Sequence, residues 1–250
     1  MRTTTVGLIF FLAGSWKEHW RAVLNFAEFL DTENRRDFSE DCIVALCEGK
    51  ADAAFLIELA EDRSLNGIRI GFPDPQTADA FGKTGFGSYL TALTVRPGFR
   101  RHVKAIAIFA DNDTATAFRD VVAQFPTDSY AVPERVGVRA EAADRVPSVV
   151  FLIPDDATGS LETLILRSSA WARTSCVEDY RDCAADTAGW LVPHHDKFRL
   201  RCIIAATCKD PESSTTMLWK KRGHPFSIKH AAFDAVAELL RSTRAVLDEA

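Results

Sequence analysis

The sequence lacks several features that would each indicate a particular class of protein. No apolar run reaches the roughly 18 residues that a membrane-spanning helix needs, so we do not expect a membrane protein. The six cysteines contain no C-x-x-C pair, so neither a zinc ribbon nor a thioredoxin-type site is indicated. A net charge of -5 argues against a chain that coats nucleic acid by bulk electrostatics, although it is compatible with a local basic groove. We also find no internal repeat and no low-complexity segment.

The residues that are present make up an ordinary globular composition. The chain has 250 residues, 47% of them hydrophobic, and can bury a sizeable core. Cys42, Cys47 and Cys202 lie in or beside apolar stretches, as buried reduced thiols do, which favours a cytoplasmic location. The apolar run at 6–13 continues directly into a helical pattern, so we expect a core strand there and no signal peptide.

Short apolar runs alternate with segments of helical spacing along the chain. We predict strands at 43–47, 68–70, 105–110 and 149–153, in addition to the run at 6–13. We predict helices at 15–30, 51–59, 86–93, 114–125, 161–168, 175–185, 196–208 and 228–247. This alternation predicts an α/β protein with a mostly parallel sheet and helices on both faces. We divide the chain into an N-terminal strand and helix segment (1–40), an α/β core (41–170) and a mainly helical C-terminal extension packed on the sheet (171–250).

Acidic residues follow three of the predicted strands. Glu48 comes directly after the first core strand, Asp111 and Asp113 follow the longest one, and Glu162 opens the helix after the last. Because right-handed crossovers bring the carboxyl ends of parallel strands to one edge of a sheet, we expect these carboxylates to converge. Mg²⁺ favours one or two carboxylates together with water and phosphate oxygens, so the pattern predicts a Mg²⁺ or Mn²⁺ site. The alternative for the central acidic pair is an Asp-rich turn that caps the helix starting near Thr114.

Three motifs resemble those of TOPRIM domains. Glu48-Gly49-Lys50-Ala51-Asp52 resembles their E-G-x-x-D motif, and Asp111-Asn112-Asp113 resembles their D-x-D motif. Ile153-Pro154, followed by Gly159-Ser160-Leu161-Glu162, resembles a small stand-alone TOPRIM-like branch that is loosely related to nucleases of the OLD type. The resemblance covers about residues 42–210, and two of its motifs lie directly at strand ends.

This resemblance implies a divalent-metal-dependent nuclease that acts on nucleic-acid phosphodiesters, with a role in defence or repair. Asp111 and Asp113 would be metal ligands, and Glu48 would be a ligand or the general acid or base, which makes these three the candidate catalytic residues. Glu162 matches an acidic position that would complete a second metal site in the nuclease branch. The metal would stabilise charge on the attacking and leaving oxygens.

Several neighbouring residues have two interpretations each. Lys50 would contact phosphate as a point charge, or it would lie in solvent at the start of its helix. Asp52 would join the site, or it would stabilise the N-terminus of the same helix. His194-His195-Asp196 invites a metal interpretation, but adjacent histidines point in different directions, so a loop or helix start capped by Asp196 is favoured.

Two basic clusters are candidates for a nucleic-acid groove, and each is equally consistent with a solvated surface. The first precedes the longest strand, toward the end opposite the acidic pair, and consists of Arg96, Arg100, Arg101, His102 and Lys104. The second lies in a loop near the C-terminus and consists of Lys220, Lys221, Arg222, His224 and Lys229. We favour the second, because a loop between helices can reach across the sheet edge, and we assign phosphate binding to Lys220, Lys221 and Arg222.

The sequence lacks several features that accompany TOPRIM domains in other proteins. Tyr89, Tyr130 and Tyr180 lie in no context that resembles the catalytic tyrosine of topoisomerases, and the zinc module of bacterial primases is absent. OLD nucleases usually carry an ATPase domain, but we find no G-x-x-x-x-G-K-[ST] loop. An ATPase partner protein is therefore expected if the activity is coupled to energy. The sequence leaves the formation of a homo-oligomer open.

Two other functions compete for the same residues. The D-x-D segment partly fits the D-x-D-x-T signature of haloacid-dehalogenase-type phosphatases, in which Asp111 would be the nucleophile and Asp113 the general acid or base. Thr114 comes one position early for that signature, and an approach of Asp156 to Asp111 would support it. The other alternative is a non-catalytic interaction subunit built on the TOPRIM scaffold, which the negative net charge and the lack of a clear basic groove keep open.

Overall fold

The computed structural model describes residues 23–25, 38–73, 82–173, 175–189, 195–209, 214–220 and 225–249. The predicted strand at 6–13, His194, Lys221 and Arg222 lie outside the described residues, as does the side chain of Lys220. The assignment of phosphate binding to the second basic cluster therefore stays a prediction.

Five described strands form one parallel sheet. They are β1 (Val23–Asn25), β2 (Cys42–Cys47), β3 (Ile68–Phe72), β4 (Val103–Asp111) and β5 (Ser148–Ile153), in the order β1-β3-β2-β4-β5. Every neighbouring pair is parallel. β2 and β5 are buried along their whole length and β4 along most of it, because each is an apolar run covered on both faces. The predicted mostly parallel sheet is confirmed.

β1 corrects part of the prediction of a helix at 15–30. Val23–Asn25 is extended and pairs with β3, with Leu24 opposite Gly71, so the predicted helix is wrong at these residues. The rest of that segment lies outside the described residues. A short apolar segment is compatible with the spacing of a helix and with that of a strand. Here the backbone hydrogen bonds available at the edge of β3 favour the strand.

Eight α-helices lie in the described part of the chain. They are α1 (Lys50–Asp62), α2 (Phe86–Thr94), α3 (Phe99–His102), α4 (Ala117–Val122), α5 (Leu161–Arg167), α6 (Cys176–Ala188), α7 (His195–Thr207) and α8 (Asp234–Arg244). The helix predicted at 114–125 is shorter than expected and begins at Ala117. The residues before it form a turn, and the hydroxyl of Thr116 at the end of this turn donates to Asp120 Oδ2 at 2.6 Å. None of these helices is both long and apolar enough to cross a membrane.

Each face of the sheet has its own buried cluster. Ala45 and Ala107 point to one face and pack with residues of α1, α5, α7 and α8. Val44 and Ile106 point to the other face and pack with residues of α2, α3 and α4. The predicted helices on both faces are therefore confirmed. The connections between strands and helices lie at the edges of this three-layer arrangement, where the acidic residues are found.

Candidate functional site

The carboxyl ends of β2 and β4 bring two of the acidic motifs into contact. Cys47 at the end of β2 pairs with Phe109, two residues before the end of β4. Glu48 therefore lies beside the last residue of β4, and its Oε1 accepts a hydrogen bond from the backbone N–H of Asp111 at 2.8 Å. This bond joins the E-G-x-x-D motif directly to the D-x-D motif.

The third motif is joined to the second by the loop after β5. The Asn112 side chain donates to the carbonyl oxygens of Pro154 at 3.1 Å and Ala157 at 3.0 Å, and the Asn112 carbonyl accepts from Gly159 N–H at 2.8 Å. These bonds hold the start of α5 against the end of β4. As a result, the N–H of Leu161 donates to Asp111 Oδ1 at 3.1 Å. Asn112, the middle residue of D-x-D, thus shapes the site through its amide.

A cavity of about 370 Å³ opens at this point. Glu48, Asp111 and Asp113 line one part of it, and residues 158–160, Thr163 and 195–197 line the rest. Glu162 is not one of the described residues that line the cavity; it is half-buried and accepts a hydrogen bond from Ser160 Oγ at 2.9 Å. The convergence of three predicted carboxylates is observed, while the second metal position at Glu162 stays a prediction.

Burial and mutual repulsion shift the carboxyl groups toward their protonated forms. Burial, followed by the charges of Asp52 and Glu48, raises the pKa of Asp111 to about 8. Burial, followed by the charges of Glu48 and Glu162, raises the pKa of Asp52 to about 7. Burial also raises the pKa of Glu48, although the Asp111 N–H and Lys83 oppose this shift. These three carboxyl groups therefore keep their protons to higher pH than exposed carboxyl groups do.

Two lysines at this edge were not singled out from the sequence. The Lys83 ammonium forms an ion pair with Asp113 Oδ1 and lies 3.8 Å from Glu48 Oε1. Lys197 lines the cavity from α7, and its charge partly opposes the rise in the pKa of Glu48 and of Asp52. The available signal for Lys83 was its position after β3, which ends at the same sheet edge. The carboxylates at the edge are thus accompanied by cations from two separate elements.

The residues with two interpretations take different positions. Lys50 is exposed at the first residue of α1 and is not one of the described residues that line the cavity, so its contact with phosphate stays a prediction. Asp52 lies in the first turn of α1 and interacts electrostatically with the cluster, so both of its roles have support. His195 lies on the cavity wall, with Nε2 2.9 Å from Glu178 Oε2. Asp196 accepts a hydrogen bond from Thr163 Oγ1.

The donor set suits a hard divalent cation but does not enclose one. All of the candidate ligands are carboxylate oxygens, which suit Mg²⁺ and Mn²⁺ better than softer metals. Among the described residues, no three histidine, cysteine, aspartate or glutamate side chains are arranged to hold a metal ion by themselves. Mg²⁺ in phosphate-processing sites commonly takes one or two protein carboxylates and completes its shell with water and phosphate oxygens. The residues fit a metal of this kind, with substrate or water supplying the remaining ligands.

The fold and the site together define an α/β protein with an acidic cavity at the carboxyl edge of a parallel sheet. Comparison with models of known protein families, with curated proteins and with solved structures found no match for the chain. The functional argument therefore depends on the geometry of the cavity and on the motifs that form it.

Proposed function

We propose that this protein is a TOPRIM-like, divalent-metal-dependent nuclease that cleaves nucleic-acid phosphodiesters. The observation that carries the proposal is the hydrogen bond between Glu48 and the Asp111 backbone, which brings the two acidic motifs to one cavity. Nucleic acid is the proposed partner, with an ATPase chain as a further partner if cleavage is coupled to energy. The six cysteines are free, which supports a reducing, cytoplasmic setting for this activity.

The chain's own residues take distinct roles in this proposal. Asp111 and Asp113 bind the metal through carboxylate oxygens, and the bond from Leu161 N–H orients the Asp111 side chain. Glu48 is a further metal ligand or the proton acceptor or donor, and the upward shift of its pKa suits proton transfer. A bound Mg²⁺ or Mn²⁺ would stabilise the charge that develops on the attacking and leaving oxygens.

The test is cleavage of labelled single- and double-stranded DNA and RNA with Mg²⁺, Mn²⁺ or EDTA. Asp111→Asn and Glu48→Gln should each lower metal-dependent cleavage by about a hundredfold or more. Each variant replaces a carboxylate that binds the metal or transfers a proton with a neutral amide. Both variants should remain folded, because an amide oxygen still accepts the backbone N–H that each carboxylate accepts. Asp128→Asn is the matched control, because Asp128 is exposed and lies outside the cavity.

Two outcomes would reject the nuclease. One is wild-type protein that neither binds Mn²⁺ in calorimetry nor cleaves any of these substrates. The other is cleavage that survives Asp111→Asn at the level of the Asp128→Asn control, which would place the activity elsewhere or in a contaminant.

One observation favours the non-catalytic interaction subunit as a second candidate. Lys83 already neutralises Asp113, and no described set of three ligands is arranged to hold a metal ion by itself. A non-catalytic site would keep this ion pair at all metal concentrations, so Mn²⁺ would neither bind nor change the thermal stability of the protein.

The phosphatase alternative finds less support in the geometry. Asp156 is exposed and bonded to Arg167 at 2.7 and 2.9 Å, so its carboxylate is engaged away from Asp111. The Asp111 backbone N–H donates to Glu48, a residue that the phosphatase signature leaves without a role. Hydrolysis of a small phosphate monoester without phosphodiester cleavage would nevertheless favour it.

A further inference from the structure

The ion pair between Lys83 and Asp113 lies within the proposed metal site. Lys83 bonds to Asp113 Oδ1 and lies 3.8 Å from Glu48 Oε1, so one ammonium group bridges two of the four candidate metal ligands. Its side chain is only 17% exposed, whereas Asp113 is 50% exposed. The lysine side chain is therefore largely shielded from solvent where it meets these carboxylates.

An ammonium and a divalent cation cannot share this position. A Mg²⁺ or Mn²⁺ ion lies about 2.1 Å from each oxygen that it binds, so an ion bound to both Glu48 and Asp113 occupies the gap that the ammonium now bridges. Two cations in that gap would also repel each other strongly in a partly buried site. Metal binding through the Glu48 Oε1 and Asp113 Oδ1 atoms that face Lys83 consequently requires the lysine side chain to move.

The backbone that carries Lys83 is held in place, so the movement is confined to the side chain. Gln124 Nε2 donates to the Lys83 carbonyl at 2.8 Å, and Gln124 Oε1 accepts from Gly87 N–H at 3.1 Å. The amide group thus fixes both ends of the segment that joins the Gly82–Gly85 turn to α2. A long, flexible lysine side chain on a fixed backbone can leave the site without a rearrangement of the fold.

We propose that Lys83 is a resident counter-ion of this site, which neutralises Glu48 and Asp113 in the metal-free protein and is displaced when a divalent cation binds them. This inference rests on the proposed metal-dependent function and adds a competing step to it. Displacement lowers the apparent affinity for metal and exposes the ammonium at the cavity mouth.

The first test follows the reactivity of lysines in the wild-type protein, so it needs no variant to fold. A short pulse of acetic anhydride with and without Mn²⁺, followed by peptide mass spectrometry, measures the accessibility of each amine. Lys83 should react slowly without metal and severalfold faster with saturating Mn²⁺. Lys229, which is 77% exposed, should react at the same rate in both conditions and serves as the internal control.

The second test compares Mn²⁺ affinity in two charge-removing variants by calorimetry. Lys83→Met should raise the affinity by about tenfold or more, because it removes the competing cation and leaves two carboxylates unpaired. Lys197→Met is the matched control, since Lys197 lines the same cavity but, within the described residues, forms no ion pair with Glu48 or Asp113. Lys197→Met should raise the affinity for Mn²⁺ by less than Lys83→Met does, because it removes a nearby positive charge but no ion pair with either carboxylate.

The outcomes separate this inference from the proposed function. Mn²⁺ binding that leaves the acetylation of Lys83 unchanged, or that strengthens equally in both variants, overturns the displacement while the metal site stands. Wild-type protein that does not bind Mn²⁺ overturns both. Faster acetylation of Lys83 with a larger effect of Lys83→Met than of Lys197→Met supports the displacement.

Discussion

At the scale of single residues, the carboxyl groups of Asp111 and Asp52 link the site to the stability of the protein. Burial and neighbouring carboxylates raise the pKa of Asp111 to about 8 and that of Asp52 to about 7, from an ordinary value of 3.8. Between the ordinary and the raised values, the folded protein keeps protons that the unfolded chain has released. The unfolded state then binds fewer protons, so the free energy of unfolding falls as pH rises from about 4 to about 8.

We therefore expect the metal-free protein to be less stable at about pH 8 than at about pH 5. Urea unfolding in EDTA should show that the free energy of unfolding is about 2 kcal/mol lower at the higher pH than at the lower one. This value is smaller than the pKa shifts alone would give, because solvent screens groups that are partly exposed. Asp52→Asn should flatten this dependence, because a neutral amide at that position has no proton to lose. The exposed control Asp128→Asn should leave it unchanged. A stability that rises over this pH range would contradict the raised pKa values.

The residues of the site differ in how far the sequence could locate them. Glu48, Asp111 and Asp113 directly follow apolar runs, and a buried run fixes where its strand ends and therefore which sheet edge the next residue reaches. Lys83 lies in the turn just before α2, and Lys197 lies on a helix whose place beside the sheet is decided by packing. No local pattern encodes such long-range placement; for Lys83 the sequence offered only its position after β3, and for Lys197 it offered no signal.

At the scale of secondary-structure elements, Gln124 couples α4 to the turn that carries Lys83. Gln124 lies in the turn just after α4, and its side chain bonds to the Lys83 carbonyl and the Gly87 N–H across about forty residues of sequence, as well as to the Asp120 carbonyl of α4 at 2.9 Å. The bond to Gly87 satisfies one of the N–H groups that the first turn of α2 leaves unpaired, and the bond to Lys83 satisfies a carbonyl of the preceding turn. One amide thereby positions the turn relative to the sheet edge.

Gln124→Leu should destabilise the protein by about 1–3 kcal/mol, because it leaves the partly buried Lys83 carbonyl and Gly87 N–H unsatisfied. The specific signature is faster hydrogen exchange at the Gly87 amide, measured by NMR or mass spectrometry. Arg119→Gln is the matched control, since Arg119 lies on α4 with a side chain that is 78% exposed. Gly87 exchange that is equal in both variants would mean that Gln124 does not hold the turn.

Elements differed in predictability according to their surroundings. β2, β4 and β5 were found because burial on both faces produces apolar runs that are visible in the sequence. β1 was missed because its three residues are extended through pairing with β3, a long-range contact that overrides the local helical spacing. The predicted helix at 114–125 was too long because the Thr116 side chain bonds locally and keeps the preceding residues in a turn.

At the scale of the whole molecule, the C-terminal helices share a core with the helix that follows Glu48. Phe233 is fully buried and lies 5.1 Å from Phe55 of α1, measured between ring centroids, in an edge-to-face arrangement. Trp219 completes this aromatic group at 5.6 Å from Phe55 and 5.7 Å from Phe233. The same buried cluster includes Ala45 of β2, so the face of the sheet that supports α1 is closed by residues distant in sequence.

This shared core predicts that the C-terminal part of the chain and the sheet unfold together. Phe233→Ala should lower the free energy of unfolding by about 3–5 kcal/mol, because it removes a buried ring and leaves a cavity beside Phe55. Val95→Ala is a suitable control, since Val95 is 79% exposed and its truncation should change the free energy by no more than about 0.5 kcal/mol. Urea unfolding followed by circular dichroism and by hydrogen exchange of the β2 and β4 amides should give a single transition at lower urea for Phe233→Ala. If the β2 and β4 amides stayed protected after the helical signal was lost, the C-terminal helices would be a separate folding unit, and the position of α1 with Asp52 would not depend on them.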